Sequence, residues 1–215
     1  MNSEQSKSKT EGNRADEKTC KYSYSYLGVT GAAIPGLSSI ALAFSTPWFS
    51  WTRNALSDLG NPHLSGIAFL FNFCLILGGL LLVLYGLEYL KCRAKYTSYL
   101  VVVSAFSLQL VGAFDETYGA THFYVAALFF VTLIAASLTY TVEKKSLAGL
   151  AAFVTSLSSW LLYLSRSVNV GIAVPEIVSS LSTVAWIVED FLRSRAKTRA
   201  TANRTAVAKA IIPVA

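Results

Sequence analysis

Apolar residues in this chain come in long blocks separated by short polar turns. Six blocks stand out, at about 25–45, 65–87, 96–114, 122–142, 147–165 and 172–191. Each is close to the roughly 20 residues that a helix needs to cross a hydrocarbon core of about 30 Å. A segment immersed in lipid must satisfy its own backbone hydrogen bonds, and a helix does so within itself. The pattern therefore predicts an all-α integral membrane bundle of six transmembrane helices.

Details within the blocks fit that expectation. Pro35 and Gly36 interrupt the first block, which bundled membrane helices tolerate when neighbours supply the freed backbone groups. Gly28, Ala32 and Gly36 recur every four residues, a stripe of small side chains suited to close helix approach. Pro175 falls in the first turn of the sixth block, where a missing N–H costs nothing. Asn72 is the one strongly polar side chain of the second block, seven residues after Ser65 and hence on nearly the same face. Thr155, Ser158 and Ser159 of the fifth block are expected to meet Ser179, Ser180 and Thr183 of the sixth through interhelical hydrogen bonds.

The ends are different in kind. Residues 1–22 are polar and mixed in charge, and read as a disordered cytoplasmic tail. They are not a secretory signal, so the first span is expected to be retained. Residues 23–192 form one transmembrane domain without an internal repeat, and 193–215 form a basic cytoplasmic tail. The sequon Asn203-Arg204-Thr205 in that tail carries no weight on the cytoplasmic side.

Composition agrees. Hydrophobic residues make up 53% of the chain and charged residues 14%, against about 25% charged in a soluble domain. The net charge of +6 does not imply nucleic acid, because the basic residues gather at the termini and in two short loops. Membrane lipids are the expected partners. Of the 18 Lys and Arg residues, 16 fall on one side of the six-span topology, and only Arg53 and Arg166 on the other. By the positive-inside rule both termini are then cytoplasmic, and the expected location is the cell membrane. Cys20, Cys74 and Cys92 are odd in number and match no metal spacing, so they read as unpaired thiols.

The orientation places the candidate chemistry outside the cytoplasm. The stretch 47–63, PWFSWTRNALSDLGNPH, is the richest in polar groups, and its Trp48 and Trp51 read as interfacial anchors. Asn54, Ser57, Asp58 and His63 from this stretch, with Asn72, Asp115, His122, Arg166 and Glu176, make up a candidate pocket. Ser57-Asp58-Leu59-Gly60 reads equally well as giving Asp58 a catalytic or ligand role, with Ser57 as its hydrogen-bonding partner, or as a cap followed by a turn glycine. Asp115, Glu116 and His122 could join Asp58 and His63 around a metal, although no spacing among them is diagnostic and no cofactor is assigned. Arg166 and Glu176 read most simply as a salt bridge between the last two spans, or as an Arg holding an anionic headgroup.

Several of these residues also carry a resemblance. Ser57-Asp58-Leu59-Gly60, Phe71-Asn72, Val111-Gly112-Ala113-Phe114-Asp115 and His122 are similar, in order and spacing, to the prokaryotic six-span membrane family catalogued as domain of unknown function 998. Ala113-Phe114-Asp115 lacks the proline that the family pattern often carries there. More distantly, the family resembles eukaryotic autophagy-modulator and GPI-anchor-remodelling membrane proteins, which implies a part in lipid or membrane homeostasis. The resemblance carries over no catalytic residue.

Three functions compete at this stage. The first is binding of a lipid headgroup or small ligand in the non-cytoplasmic pocket. The second is a membrane hydrolase or lipid-modifying enzyme using Asp58, Asp115 and His122, with or without a metal. A transporter ranks third, since no charge lies mid-span and no repeat is visible.

Overall fold

Each apolar block folds as one long helix. The computed structural model describes residues 22–211 and contains α1 (Ser25–Ser45), α2 (Ala68–Glu88), α3 (Lys95–Ala113), α4 (Ala120–Lys144), α5 (Leu147–Leu164) and α6 (Ala173–Ile211). Short 3-10 turns occupy Tyr22–Tyr24, Leu56–Gly60, Leu90–Cys92 and Glu116–Tyr118. Helices α1 to α5 are long and apolar enough to cross a membrane. The sixth is longer and more charged, with Glu176 near its start and Glu189, Asp190 and Arg193 further along. It continues unbroken through the expected basic tail as far as Ile211. The expected N-terminal tail lies, apart from Tyr22, outside the described residues.

Consecutive helices pack side by side, and α6 closes the ring by packing on α1, α4 and α5. The outward surface is apolar: Phe44 is 77% exposed, Phe69 75% and Leu147 80%. Many serines and threonines, by contrast, are buried. Apolar surface on this scale needs a nonaqueous partner, and a bilayer supplies one to every helix at once. The fold is that of a helical membrane bundle. At one end, the lid end, lie residues 46–67, the Glu116–Tyr118 turn and the start of α6. The other, the tail end, holds the start of α1, the Leu90–Cys92 turn and the later half of α6.

Four expectations about packing are corrected. The close approach of α1 to α2 runs through Gly28, Gly31 and Pro35, not along Gly28, Ala32 and Gly36. A Cβ at position 31 would lie 2.9 Å from Leu81 Cβ, and one at 78 would lie 2.5 Å from Pro35 Cδ, whereas position 36 has room. The hydroxyls of α5 and α6 bond mainly to carbonyls of their own helices, as Ser159 does to Ser156 and Thr183 to Ser179. The contact between those faces is instead Trp160 Nε1 donating to Ser179 Oγ at 3.0 Å. Cys74 is a free thiol, but Cys92 is disulfide-bonded; linear spacing does not report such pairing. The fourth correction, at Arg166, belongs to the lid end.

The tail end also holds a buried charge that the block pattern hides. Asp190 is fully buried on α6. It pairs with Arg93 Nη2 at 2.9 Å and accepts hydrogen bonds from Tyr85 Oη at 3.1 Å and Tyr140 Oη at 3.3 Å. Trp186 stacks on Tyr140 and donates to Ser137 Oγ at 3.1 Å. Glu143 accepts from the backbone N–H groups of Tyr96 and Thr97 at the start of α3. Glu189 bonds to Arg193 and Ser146. These contacts tie α2, α3, α4 and α6 together at one level.

Candidate functional site

The loop after α1 folds because its short polar side chains bond to nearby backbone, as Asn, Asp and Ser do in turns. Asn54 Oδ1 accepts from Ser50 N at 2.9 Å, and its Nδ2 donates to Asp58 Oδ2 at 2.6 Å. The same Asp58 oxygen accepts from Ala55 N at 3.0 Å. This fixes the Leu56–Gly60 turn, whose Leu56, Leu59 and Gly60 are buried. The turn packs against α1, α2, α6 and the Glu116–Tyr118 turn, and so roofs the lid end of the bundle.

Three anchors hold this roof. Asn72 Nδ2, on α2, donates to Gly60 O at 2.9 Å, and a Cβ at position 60 would overlap the Asn72 side chain. The turn before α6 pairs with the loop through Gly171 N to Trp51 O at 2.8 Å and Ala173 N to Asn54 O at 3.1 Å. Position 171 must be glycine, because a Cβ there would lie 2.7 Å from Asn54 O. Lastly, Glu176 Oε2 accepts from Leu56 N at 2.7 Å.

A third carboxyl joins from across the bundle. Glu116 Oε1 accepts from Ser57 Oγ at 2.6 Å. Partial burial, together with hydrogen bonding to the Asp58 carboxylate and repulsion from its charge, raises the Glu116 pKa from its usual 4.5 to about 7; hydrogen bonds from Ser57 and Asn61 oppose the rise. Asp58, Glu116 and Glu176 thus form an acidic roof around Ser57.

Beneath the roof is a cavity of about 90 Å³, walled by α1, α2, α3, α4 and α6 and capped by Leu56 and Ser57. Its body is apolar, with Pro35, Leu75, Leu82, Leu108, Phe129, Leu133 and Ile187 among its walls. Ser57, His122 and Glu176 give its lid end a polar rim. His122 Nδ1 lies 2.7 Å from Phe114 O. Since a carbonyl only accepts, Nδ1 is the donor in this contact. By volume the cavity could take several waters, each needing about 10–15 Å³, or a short apolar chain.

The structure thus brings together Asn54, Ser57, Asp58 and Glu176, with Asn72 beneath the turn and His122 at the cavity wall. Asp115 stands apart as the cap of its own turn, accepting from Thr117 N at 2.9 Å. His63 is exposed, and its backbone N–H donates to Asn61 Oδ1. Arg166 is exposed as well, and the ion pair expected with Glu176 is not formed. Arg166 ends α5 with a left-handed backbone, φ 54°, its N–H donating to Tyr163 O, while Glu176 turns to Leu56. Trp51 packs on the core and sits edge-on to Phe49, 5.3 Å between ring centres, while Trp48 is 38% exposed. Among the described residues no three His, Cys, Asp or Glu side chains are placed to share a metal ion. Glu116 was legible only as a metal candidate; its acidic turn was the signal, but its partner Ser57 is 59 residues away.

An acid-roofed cavity inside an apolar-surfaced helical ring defines the class: a multi-pass helical membrane protein. The chain belongs to the family described as Protein of unknown function (DUF998), whose profile covers residues 29–189, a span that includes the whole roof. No curated protein and no solved structure matches the chain.

Proposed function

We propose that the protein binds an amphipathic small molecule or lipid, with its apolar part in the central cavity and its polar end under the Ser57 roof. The observation carrying this reading is the cavity itself, apolar along its body and rimmed at one end by Ser57, His122 and Glu176. Sites of this kind take shape from apolar walls and specificity from a few placed polar groups. The carboxyl-rich rim narrows the ligand. Asp58, Glu116 and Glu176 surround it, while Arg53 and Arg166 are exposed. An amine or hydroxyl headgroup therefore suits the roof, and a phosphate does not. The charge asymmetry of the loops supports an outward-facing roof and a cytoplasmic tail end.

One observation favours a second reading, a lipid-modifying hydrolase. Glu116 holds its proton to about pH 7 beside the Ser57 hydroxyl, as a general acid working near neutrality would.

The test is thermal stabilisation of the purified protein by long-chain amines, alcohols and phosphates. Amines and alcohols should stabilise it, phosphates should not, and Leu108→Trp, which fills the cavity, should abolish the effect. Stabilisation that survives Leu108→Trp, or none from any class, would overturn the binding reading. Turnover of ester- or amide-linked lipids that is lost in Glu116→Gln would favour the enzyme instead.

A further inference from the structure

A second site lies at the opposite end of the bundle. We propose that the groove between the start of α1 and the later half of α6 holds the phosphate headgroup of an anionic phospholipid. The groove has a volume of about 650 Å³, and its walls include Ser23, Tyr26, Phe191, Thr198 and the two arginines Arg195 and Arg199.

The first support is charge. Arg195 and Arg199 are exposed and form no ion pair among the described residues. Acids do lie nearby on the same helix, but both are engaged elsewhere. Asp190 is held by Arg93, and Glu189 by Arg193 and Ser146. Among the described residues the groove thus carries net positive charge and guanidinium groups without a carboxylate partner, which suit phosphate through their planar fork. The positive end of the α1 dipole adds to the field, since its first turn carries no acid.

The second support is depth. At 1.5 Å rise per residue, Arg195 and Arg199 lie about 6 and 12 Å beyond Phe191 along α6. Phe191 closes the apolar block of α6, so the arginines emerge one and two turns past the hydrocarbon boundary, at headgroup level. Tyr26 and Phe191 line the same groove and supply apolar contact for the first methylenes. Arg195 is steadied by its own ring contact, its Cζ lying 5.2 Å from the centre of Phe191. Basic pockets between membrane helices on the positively charged side are recognised headgroup sites.

The test uses the full chain reconstituted in phosphatidylcholine vesicles that carry spin-labelled phosphatidylglycerol or spin-labelled phosphatidylcholine. The wild type should restrain the labelled phosphatidylglycerol preferentially. Arg195→Gln with Arg199→Gln should lower that preference about five-fold per charge removed, as expected for about 1 kcal/mol each. Lys91→Gln with Lys95→Gln, at the same end but outside the groove, should cost clearly less, because the preference comes from the groove and not from surface charge in general. Equal losses in both double variants would reduce the effect to diffuse charge and overturn the site. Displacement of the labelled lipid by millimolar inorganic phosphate would overturn the lipid as the ligand.

Discussion

The carboxylate of Glu176, at the start of α6, accepts a hydrogen bond from the backbone N–H of Leu56, 120 residues earlier in the chain, at 2.7 Å. Both residues are buried and both line the cavity. The roof is therefore attached to the ring by the same group that gives the cavity its acidic rim. Binding and closure share one side chain.

Removing that group tests the attachment. Glu176→Ala leaves Leu56 N–H buried and unpaired, which costs about 1–3 kcal/mol. Glu176→Gln keeps an acceptor oxygen for Leu56 N–H and should retain most of the stability. Hydrogen exchange should show the Leu56 amide deprotected in the alanine variant and near wild type in the glutamine variant. Equal protection in both would break the link between Glu176 and the roof.

Glu116 gives the lid end a defined pH response. Its folded-state pKa of about 7 lies above its usual 4.5, so between those values the folded protein binds more protons than the unfolded one. Stability then falls as pH rises from about 4.5 to 7 and is insensitive to this group above that window. Glu116→Gln retains an acceptor for Ser57 Oγ and removes the slope. Melting temperatures in detergent across this range should decline for wild type and stay flatter for the variant, which at pH 8 should be at least as stable. A variant as pH-sensitive as wild type would locate the response elsewhere.

How much of this was legible beforehand depends on what kind of signal each feature leaves. The helices were, because a spanning length of apolar residues is itself the signal; α3 runs Lys95–Ala113 against an expected 96–114. The turn at Ser57 to Gly60 was partly legible, since Asn54, Asp58 and Gly60 are types that bond locally or fit close to backbone. The bond from Ser57 to Glu116 was not, because it depends on how helices pack across the ring. Proximity in sequence misled at Arg166 and Glu176, where a left-handed residue at the end of α5 leaves the arginine exposed. Asp190 left no signal of its own: it sits at the end of an apolar block, and its burial depends on Arg93 from another connection.

That buried pair should behave as an all-or-none unit. Arg93→Ala leaves Asp190 without its counter-charge, with only Tyr85 and Tyr140 to bond it, and should cost about 3–5 kcal/mol. The double variant Arg93→Met with Asp190→Leu removes both charges and should recover much of that loss. A double-mutant cycle on thermal or denaturant unfolding measures the difference. Additive losses would mean the two residues contribute independently, against the 2.9 Å contact between them.

The α1–α2 seam makes the last prediction, and it separates two glycines of one helix. A methyl group at position 31 would lie 2.9 Å from Leu81 Cβ and 3.0 Å from Gly78 O, one of them backbone that cannot swing aside. At position 36 the nearest atom is Leu181 Cδ2 at 3.9 Å, an ordinary contact at the end of a flexible side chain. Gly31→Ala must therefore push α1 and α2 apart, at about the 1–3 kcal/mol typical of overpacking. Gly36→Ala should be neutral or slightly stabilising, because alanine is the better helix former by up to about 1 kcal/mol. Since Pro35 and Gly36 also line the cavity, ligand stabilisation should weaken in Gly31→Ala, where the wall moves, and persist in Gly36→Ala. Melting temperatures of the two variants with and without a long-chain amine decide the matter, and a loss of stability in Gly36→Ala equal to that in Gly31→Ala would refute the seam as placed.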